Sequence, residues 1–223
     1  MKKKVWIVIA VILALLVLTC MIFRNQIIVF WRDLTRPIYM EPVAEKPVIY
    51  LYPEVPTDVS VKLNLHGELL CTYPAYDDGW QMRANPDGTL TDAEGNVYSY
   101  LFWEGTDGAE YDWSSGWCVA GEDTAEFLRE TLDALGLNAR ESNEFIVYWL
   151  PRMQNNAYNL ITFQTDAYTD RAVLTIDPAP DSMLRVFMAW KPLTQPTAIE
   201  APEIVPFERV GFTVVEWGGT EVK

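Results

Sequence analysis

The sequence predicts an α+β protein: a mostly antiparallel β-sheet with one packed helix, preceded by one transmembrane helix. Three observations lead to this fold class. An unbroken apolar stretch covers residues 5–23, short segments rich in β-branched and aromatic residues recur after residue 46, and one segment near residues 123–136 has helical periodicity. Strands and helices do not alternate along the chain, which favours antiparallel pairing.

The apolar stretch has the length of a membrane-spanning helix. Its 19 residues contain no charge, glycine or proline, and at ~1.5 Å per residue they cover about 28 Å, close to the ~30 Å hydrocarbon core. The lysines of residues 2–4 precede it and Arg24 follows, so the positive-inside rule predicts a cytoplasmic N-terminus. The alternatives are a cleaved signal peptide, for which no small-residue cleavage site is present, and lipidation at Cys20.

This anchor defines the predicted domain organisation. Residues 1–4 are a cytoplasmic start, 5–23 the transmembrane helix, 24–45 a juxtamembrane segment with a proline-rich linker, and 46–220 an extracytoplasmic β-rich domain. Residues 41–223 hold 11 Lys and Arg against 30 Asp and Glu, a formal charge of −19. Nucleic acid is therefore an unsuitable partner, because phosphate backbones require basic clusters. The predicted location is the cell membrane, as a single-pass protein.

Individual elements follow from local patterns. Residues 58–66 alternate between apolar and polar, as in a half-buried strand, and residues 85–88 and 92–96 have the composition of turns. The helix begins at Asp123, with Glu126 at the capping-box position, and Gly136 is placed to end it.

The segment of residues 145–150 is rich in β-branched and aromatic residues and runs into Pro151, so it is predicted as another strand. Arg152, directly after it, is expected to pair with one of the many carboxylates.

Three phrases, K-P-V-I-Y-L-Y-P at residues 46–53, Y-L-F-W-E-G at 100–105 and F-I-V-Y-W-L-P-R-M at 145–153, resemble a family of uncharacterised bacterial membrane-anchored surface proteins. The resemblance covers residues 45–219. It agrees with an anchored surface domain and implies no activity, cofactor or catalytic residue.

The stretch from residue 103 to 117 is the richest in chemically useful side chains. Four acidic residues lie among aromatic ones there, and the candidate ligand-binding residues are Trp103, Glu104, Asp112, Trp113 and Trp117. Aromatic faces with carboxylates suit a glycan or peptide groove, four acids on a loop suit Ca²⁺, and paired carboxylates suit glycoside hydrolysis. The alternative is that the tryptophans belong to the core and the acids to the solvent.

Histidine and cysteine are scarce. His66 is the sole histidine, which excludes a zinc site built on several histidines, and it is expected on the solvent face of a strand. Cys71 and Cys118 are a candidate disulfide in an extracytoplasmic domain, or two buried free thiols.

The leading functional hypothesis is a binding or interaction module at the cell envelope, with a glycan or protein partner. We expect no cofactor for such a module, and Ca²⁺ is the alternative. A polysaccharide hydrolase with Glu104 and Asp112 as acid and base is a second hypothesis, and a structural envelope protein is a third. No catalytic signature is present, which favours a role other than catalysis.

Overall fold

The computed structural model describes residues 43–106 and 108–222, together with Trp6. Glu41–Lys223 form one compact unit. Within its described residues, the unit is β-rich, with twelve strands in two sheets.

The larger sheet has seven strands. These are β1 (Val43–Tyr52), β3 (Glu68–Tyr73), β7 (Leu101–Thr106), β8 (Trp117–Ala120), β9 (Tyr158–Gln164), β11 (Ser182–Leu193) and β12 (Thr213–Glu221). Their order across the sheet is β3-β7-β1-β12-β11-β9-β8. β11 and β12 are parallel, whereas the other neighbours in this sheet are antiparallel.

The smaller sheet has five strands, all antiparallel to their neighbours. These are β2 (Thr57–Leu65), β4 (Trp80–Ala84), β5 (Leu90–Thr91), β6 (Val97–Tyr98) and β10 (Ala172–Asp177), in the order β10-β2-β4-β5-β6. The helices are α1 (Thr124–Leu135), α2 (Ala139–Met153) and the short α3 (Asp166–Thr169), and a 3-10 turn at Gly121–Asp123 precedes α1.

The larger sheet is the middle of three layers. On one face, Ile49, Trp103 and Phe187 pack against side chains of the smaller sheet such as Val61 and Trp80. On the other face, side chains of the same sheet pack against α1 and α2: the cluster includes Tyr50, Trp217, Leu132, Phe145 and Trp149. Coverage of both faces explains why β1, β11 and β12 each contain an unbroken run of buried residues rather than an alternation of buried and exposed ones.

The predicted fold class is wrong in its helix content. α1 exists and ends at Gly136, whose φ of 103° is the left-handed conformation that glycine favours. A second helix, α2, was not predicted, and residues 145–150 belong to it rather than to a strand. Asp123 is the N-cap residue of α1, as predicted, but its side chain makes no capping hydrogen bond.

Helix α2 has a physical cause that outweighs the β-propensity of its second half. The Asn138 side chain accepts a hydrogen bond from the Glu141 N–H at 3.0 Å, and the Glu141 carboxylate accepts one from the Asn138 N–H at 2.8 Å, which forms a reciprocal capping box. Phe145, Trp149 and Met153 then follow at intervals of four residues, and all three are buried. Pro151 lies in the last turns without ending the helix.

The transmembrane part of the predicted fold class is also not found. No helix in the described part of the chain is both long and apolar enough to cross a membrane. The predicted segment of residues 5–23 lies outside the described residues except for Trp6.

Local predictions from short patterns are confirmed. In β2, Val59, Val61 and Leu63 are buried, whereas Asp58, Lys62 and Asn64 are exposed. The two predicted turns connect β4 to β5 and β5 to β6, with Gly88 at φ 83° and Gly95 at φ 89°.

One ion pair lies inside the core between the sheets. Arg185 Nε donates to Glu216 Oε2 at 2.6 Å, and the two side chains are 9% and 0% exposed. Trp103 Nε1 donates to the other oxygen of Glu216 at 3.1 Å, and Tyr168 lies over the Arg185 guanidinium. Buried charges are tolerated when they are paired, as they are here, although the buried Nη2 of Arg185 has no hydrogen-bond partner in the described part of the chain.

Candidate binding surface

The three candidate tryptophans do not form one surface. Trp103 is fully buried between the sheets. Trp117 is half-buried and packs on Phe127 of α1, on the opposite face of the larger sheet. Trp113 is half-buried in the loop before β8, where the Lys191 ammonium lies 4.5 Å from its ring centroid.

The two candidate carboxylates lie on opposite faces of the larger sheet. Glu104 follows Trp103 in β7, so its side chain points to the helix-covered face. Asp112 is attached to the other face, because its N–H and carbonyl both bind the side chain of Gln164, which lies opposite the core residue Phe187. Hydrogen bonds from Ser114 lower the pKa of the exposed Asp112 carboxyl. The pair therefore lacks the facing geometry that an acid and base would need.

Cys71 and Cys118 are both free thiols, so the candidate disulfide is not formed in this structure. Cys71 lies in β3 and Cys118 in β8, the two edge strands of the seven-stranded sheet. Six strand spacings of ~4.8 Å separate these edges by about 29 Å, whereas a disulfide needs Cα atoms within about 7 Å.

The described residues also bear on the predictions for a metal site and for His66. No group of three or more His, Cys, Asp or Glu side chains in that part of the chain could hold a metal ion. His66 is exposed, as expected, and its backbone N–H donates to the Arg171 carbonyl at 2.7 Å.

A different surface collects side chains from all three phrases that carry the family resemblance. We call it the aromatic platform and define it as Lys46 of β1, Tyr100 and the β7 residues Phe102 and Glu104, and Tyr148 of α2. All five are half-buried. They lie on the helix-covered face of the larger sheet, where Tyr100, Phe102 and Tyr148 pack against the core cluster that includes α2.

Lys46 is the centre of the platform. Its ammonium lies 5.1 Å from the ring centroid of Tyr100 and 5.4 Å from that of Phe102, and it donates to the Tyr100 hydroxyl at 3.3 Å. The Lys46 backbone N–H donates to Glu104 Oε1 at 3.3 Å. These contacts join β1 to β7 and hold a cation over two aromatic faces.

Helix α2 closes one side of the platform through Glu45. The Glu45 carboxylate accepts hydrogen bonds from Arg152 and from the Tyr148 hydroxyl, and Arg152 also donates to that hydroxyl at 3.0 Å. The expected pairing of Arg152 with a carboxylate is thus confirmed. Burial raises the pKa of Tyr148 to about 12, with Arg152 opposing and Glu45 adding to the shift.

The other side of the platform is open. Tyr73 and Cys71 of β3 lie directly opposite Phe102 and Glu104 in the strand register. Tyr73 is 63% exposed and Cys71 is exposed as well. The Tyr73 ring packs edge-on against Tyr98 of the smaller sheet, with the ring centroids 5.4 Å apart, so it does not extend the platform. The edge of the platform at Cys71 is exposed to solvent.

Of the residues predicted for a site, the platform includes Glu104 alone. The alternation in residues 100–105 was the signal that could have found the rest: Leu101 and Trp103 point inward, so Tyr100, Phe102 and Glu104 share the other face. Lys46 and Tyr148 join them only through the pairing of β1 with β7 and the packing of α2, which no local pattern reveals.

Comparison with known proteins adds little about activity. No family model and no solved structure matches the chain. A protein from Butyrivibrio fibrisolvens, described as "Uncharacterized protein in bglA 3'region", is 51% identical over 63 residues, which are 27% of this chain and 65% of that protein. The matched part of the chain thus spans just under two thirds of that relative, whose description states no activity.

Proposed function

We propose that this protein is a binding module and that its aromatic platform holds a glycan. The observation that carries the proposal is that distant segments of the chain bring half-buried rings, a lysine and a carboxylate to one face of the larger sheet. Rings of this kind stack on the apolar faces of a pyranose, while Lys46 can donate to its hydroxyls and Glu104 can accept from them. Most binding surfaces have this composition, apolar with a few placed polar groups.

The proposed place of action is the cell envelope, outside the cytoplasm. Its support is the amino-acid sequence: the lysines of residues 2–4 and the charge of −19 on residues 41–223. An epitope tag at the C-terminus of the full chain should be accessible to antibody on intact cells whose outer layers have been made permeable. Detection only after lysis of the cytoplasmic membrane would contradict this placement.

A glycan array with the full chain in mild detergent tests the binding proposal. Phe102→Ala should weaken binding of the best glycan about fivefold to tenfold, because stacking on one ring contributes about 1 kcal/mol. Trp113→Ala is the matched control, since Trp113 is also half-buried and has a cation over its ring but lies outside the platform. Its binding should be unchanged.

Binding of no glycan at all would contradict the proposal. So would loss of binding in the Trp113 variant with full binding in the Phe102 variant. Thermal melting of each variant shows that a loss of binding is not a loss of fold.

A further inference from the structure

We propose that the glycan bound by the platform carries a carboxylate, as a uronic acid unit does, and that Lys46 is the residue that selects it. This inference rests on the proposed binding function of the platform. It names the ligand class and the specificity-determining side chain.

The backbone of Lys46 is the first line of support. With φ at 56°, Lys46 is the one non-glycine residue with positive φ among the described residues. It lies at a bulge, where β1 has an extra residue relative to both β12 and β7. Strained backbone conformations of this kind cluster at binding and active sites, and bulges beside such sites redirect a side chain.

The surroundings of the Lys46 ammonium are the second line. The two arginines of α2 are both paired with carboxylates. Arg152 pairs with Glu45, and Arg140 pairs with Glu144 at 3.6 Å. In the described part of the chain, no carboxylate oxygen lies within 4.0 Å of Lys46 Nζ, because Glu104 accepts from the Lys46 backbone N–H instead. The ammonium contacts rings and one hydroxyl, so a carboxylate from a ligand would complete its hydrogen bonds.

The acidity of the whole domain does not oppose this contact at physiological salt. The Debye length at about 0.15 M ionic strength is ~8 Å, so a ligand at the platform feels chiefly the charges next to it. Those charges are ion pairs, apart from Lys46 and Glu104. The domain charge of −19 acts on the approach of an acidic polymer rather than on the bound contact.

The test compares an oligogalacturonate with its fully methyl-esterified form, which differ in charge but keep the same sugar rings. Calorimetry with the full chain in mild detergent at about 0.15 M salt should show the free acid binding at least about tenfold more tightly, as expected for a charge-assisted hydrogen bond. Lys46→Gln should bring the two ligands within about twofold by weakening the acid alone. Lys191→Gln, at the cation over Trp113, is the matched control and should keep the preference.

Equal affinity of acid and ester for the unmodified chain would overturn the inference, as would a preference that survives in Lys46→Gln. If Lys46→Gln lowers the melting temperature, Lys46→Gly replaces it, because glycine accepts the left-handed backbone while it removes the ammonium. Binding of neutral glycans without either galacturonate form would overturn this inference and leave the proposed function standing. Binding of no glycan would overturn both.

Discussion

Two buried glutamates show how single residues are stabilised in an acidic chain. Glu141 and Glu216 are both fully buried, and each is bound by an arginine from elsewhere in the sequence, Arg209 and Arg185. Glu141 also completes the capping box of α2. Most other carboxylates lie in solvent, whereas these two have a structural role. The amino-acid composition does not distinguish them from the surface acids that keep the protein soluble.

Glu216→Gln should lower the free energy of unfolding by about 3–5 kcal/mol, because it leaves the Arg185 guanidinium buried without its carboxylate. The matched change is Glu126→Gln, which breaks the exposed pair with Arg129, whose side chain is 62% exposed. That variant should unfold with nearly the same midpoint as the parent, because solvent and salt screen an exposed ion pair. Urea unfolding measures both, and equal effects would contradict the assignment of a buried, stabilising pair.

Tyr148 predicts a dependence of stability on alkaline pH. Its folded pKa of about 12 lies above the ordinary 10.0, so the stability due to the neutral hydroxyl is complete below pH 10 and is lost as the pH rises from 10 to about 12. Tyr148→Phe should therefore lose less stability over this window than the parent protein. Unfolding midpoints measured at both ends test this, and parallel losses would refute it.

At the scale of elements, local patterns predict strands and turns well. They fail where a capping interaction and tertiary packing determine whether a segment is a helix or a strand. The segment of residues 145–150 has the composition of a strand, yet the capping box at Asn138 and the buried spacing of Phe145 and Trp149 make it helical. In contrast, β2 has clean alternation and one buried face, so propensity and tertiary packing agree there.

The end of α1 offers a test at this scale. At Gly136 an added Cβ would lie 2.9 Å from Phe207 Cβ, whereas at Gly95 nothing lies within 4 Å, although both glycines have positive φ. Gly95→Ala should cost about 1 kcal/mol of backbone strain. Gly136→Ala should cost about 1–3 kcal/mol more, because the methyl group also overpacks against Phe207. Unfolding by urea gives both values, and equal costs would show that Phe207 moves freely.

For the whole molecule, the free cysteines give a direct prediction. Protein prepared without reductant, then unfolded and alkylated, should yield both Cys71 and Cys118 as alkylated peptides. Cys71→Ser should change stability by less than about 0.5 kcal/mol, whereas loss of a disulfide that joined Cys71 to Cys118 would cost about 4 kcal/mol. A linked Cys71–Cys118 peptide would contradict the order of strands in the larger sheet.

The amino-acid sequence by itself determined the β-rich character of the unit, the alternation of β2, the turns on either side of β5 and the end of α1. These depend on contacts within a few residues, where side-chain periodicity and glycine conformation decide the outcome. Tertiary structure alone decided that Glu104 and Asp112 lie on opposite faces, that the two cysteines lie at opposite edges, and that Lys46, Phe102 and Tyr148 share one surface. The order of strands in a sheet brings together residues that are far apart in the chain, and no local pattern specifies that order.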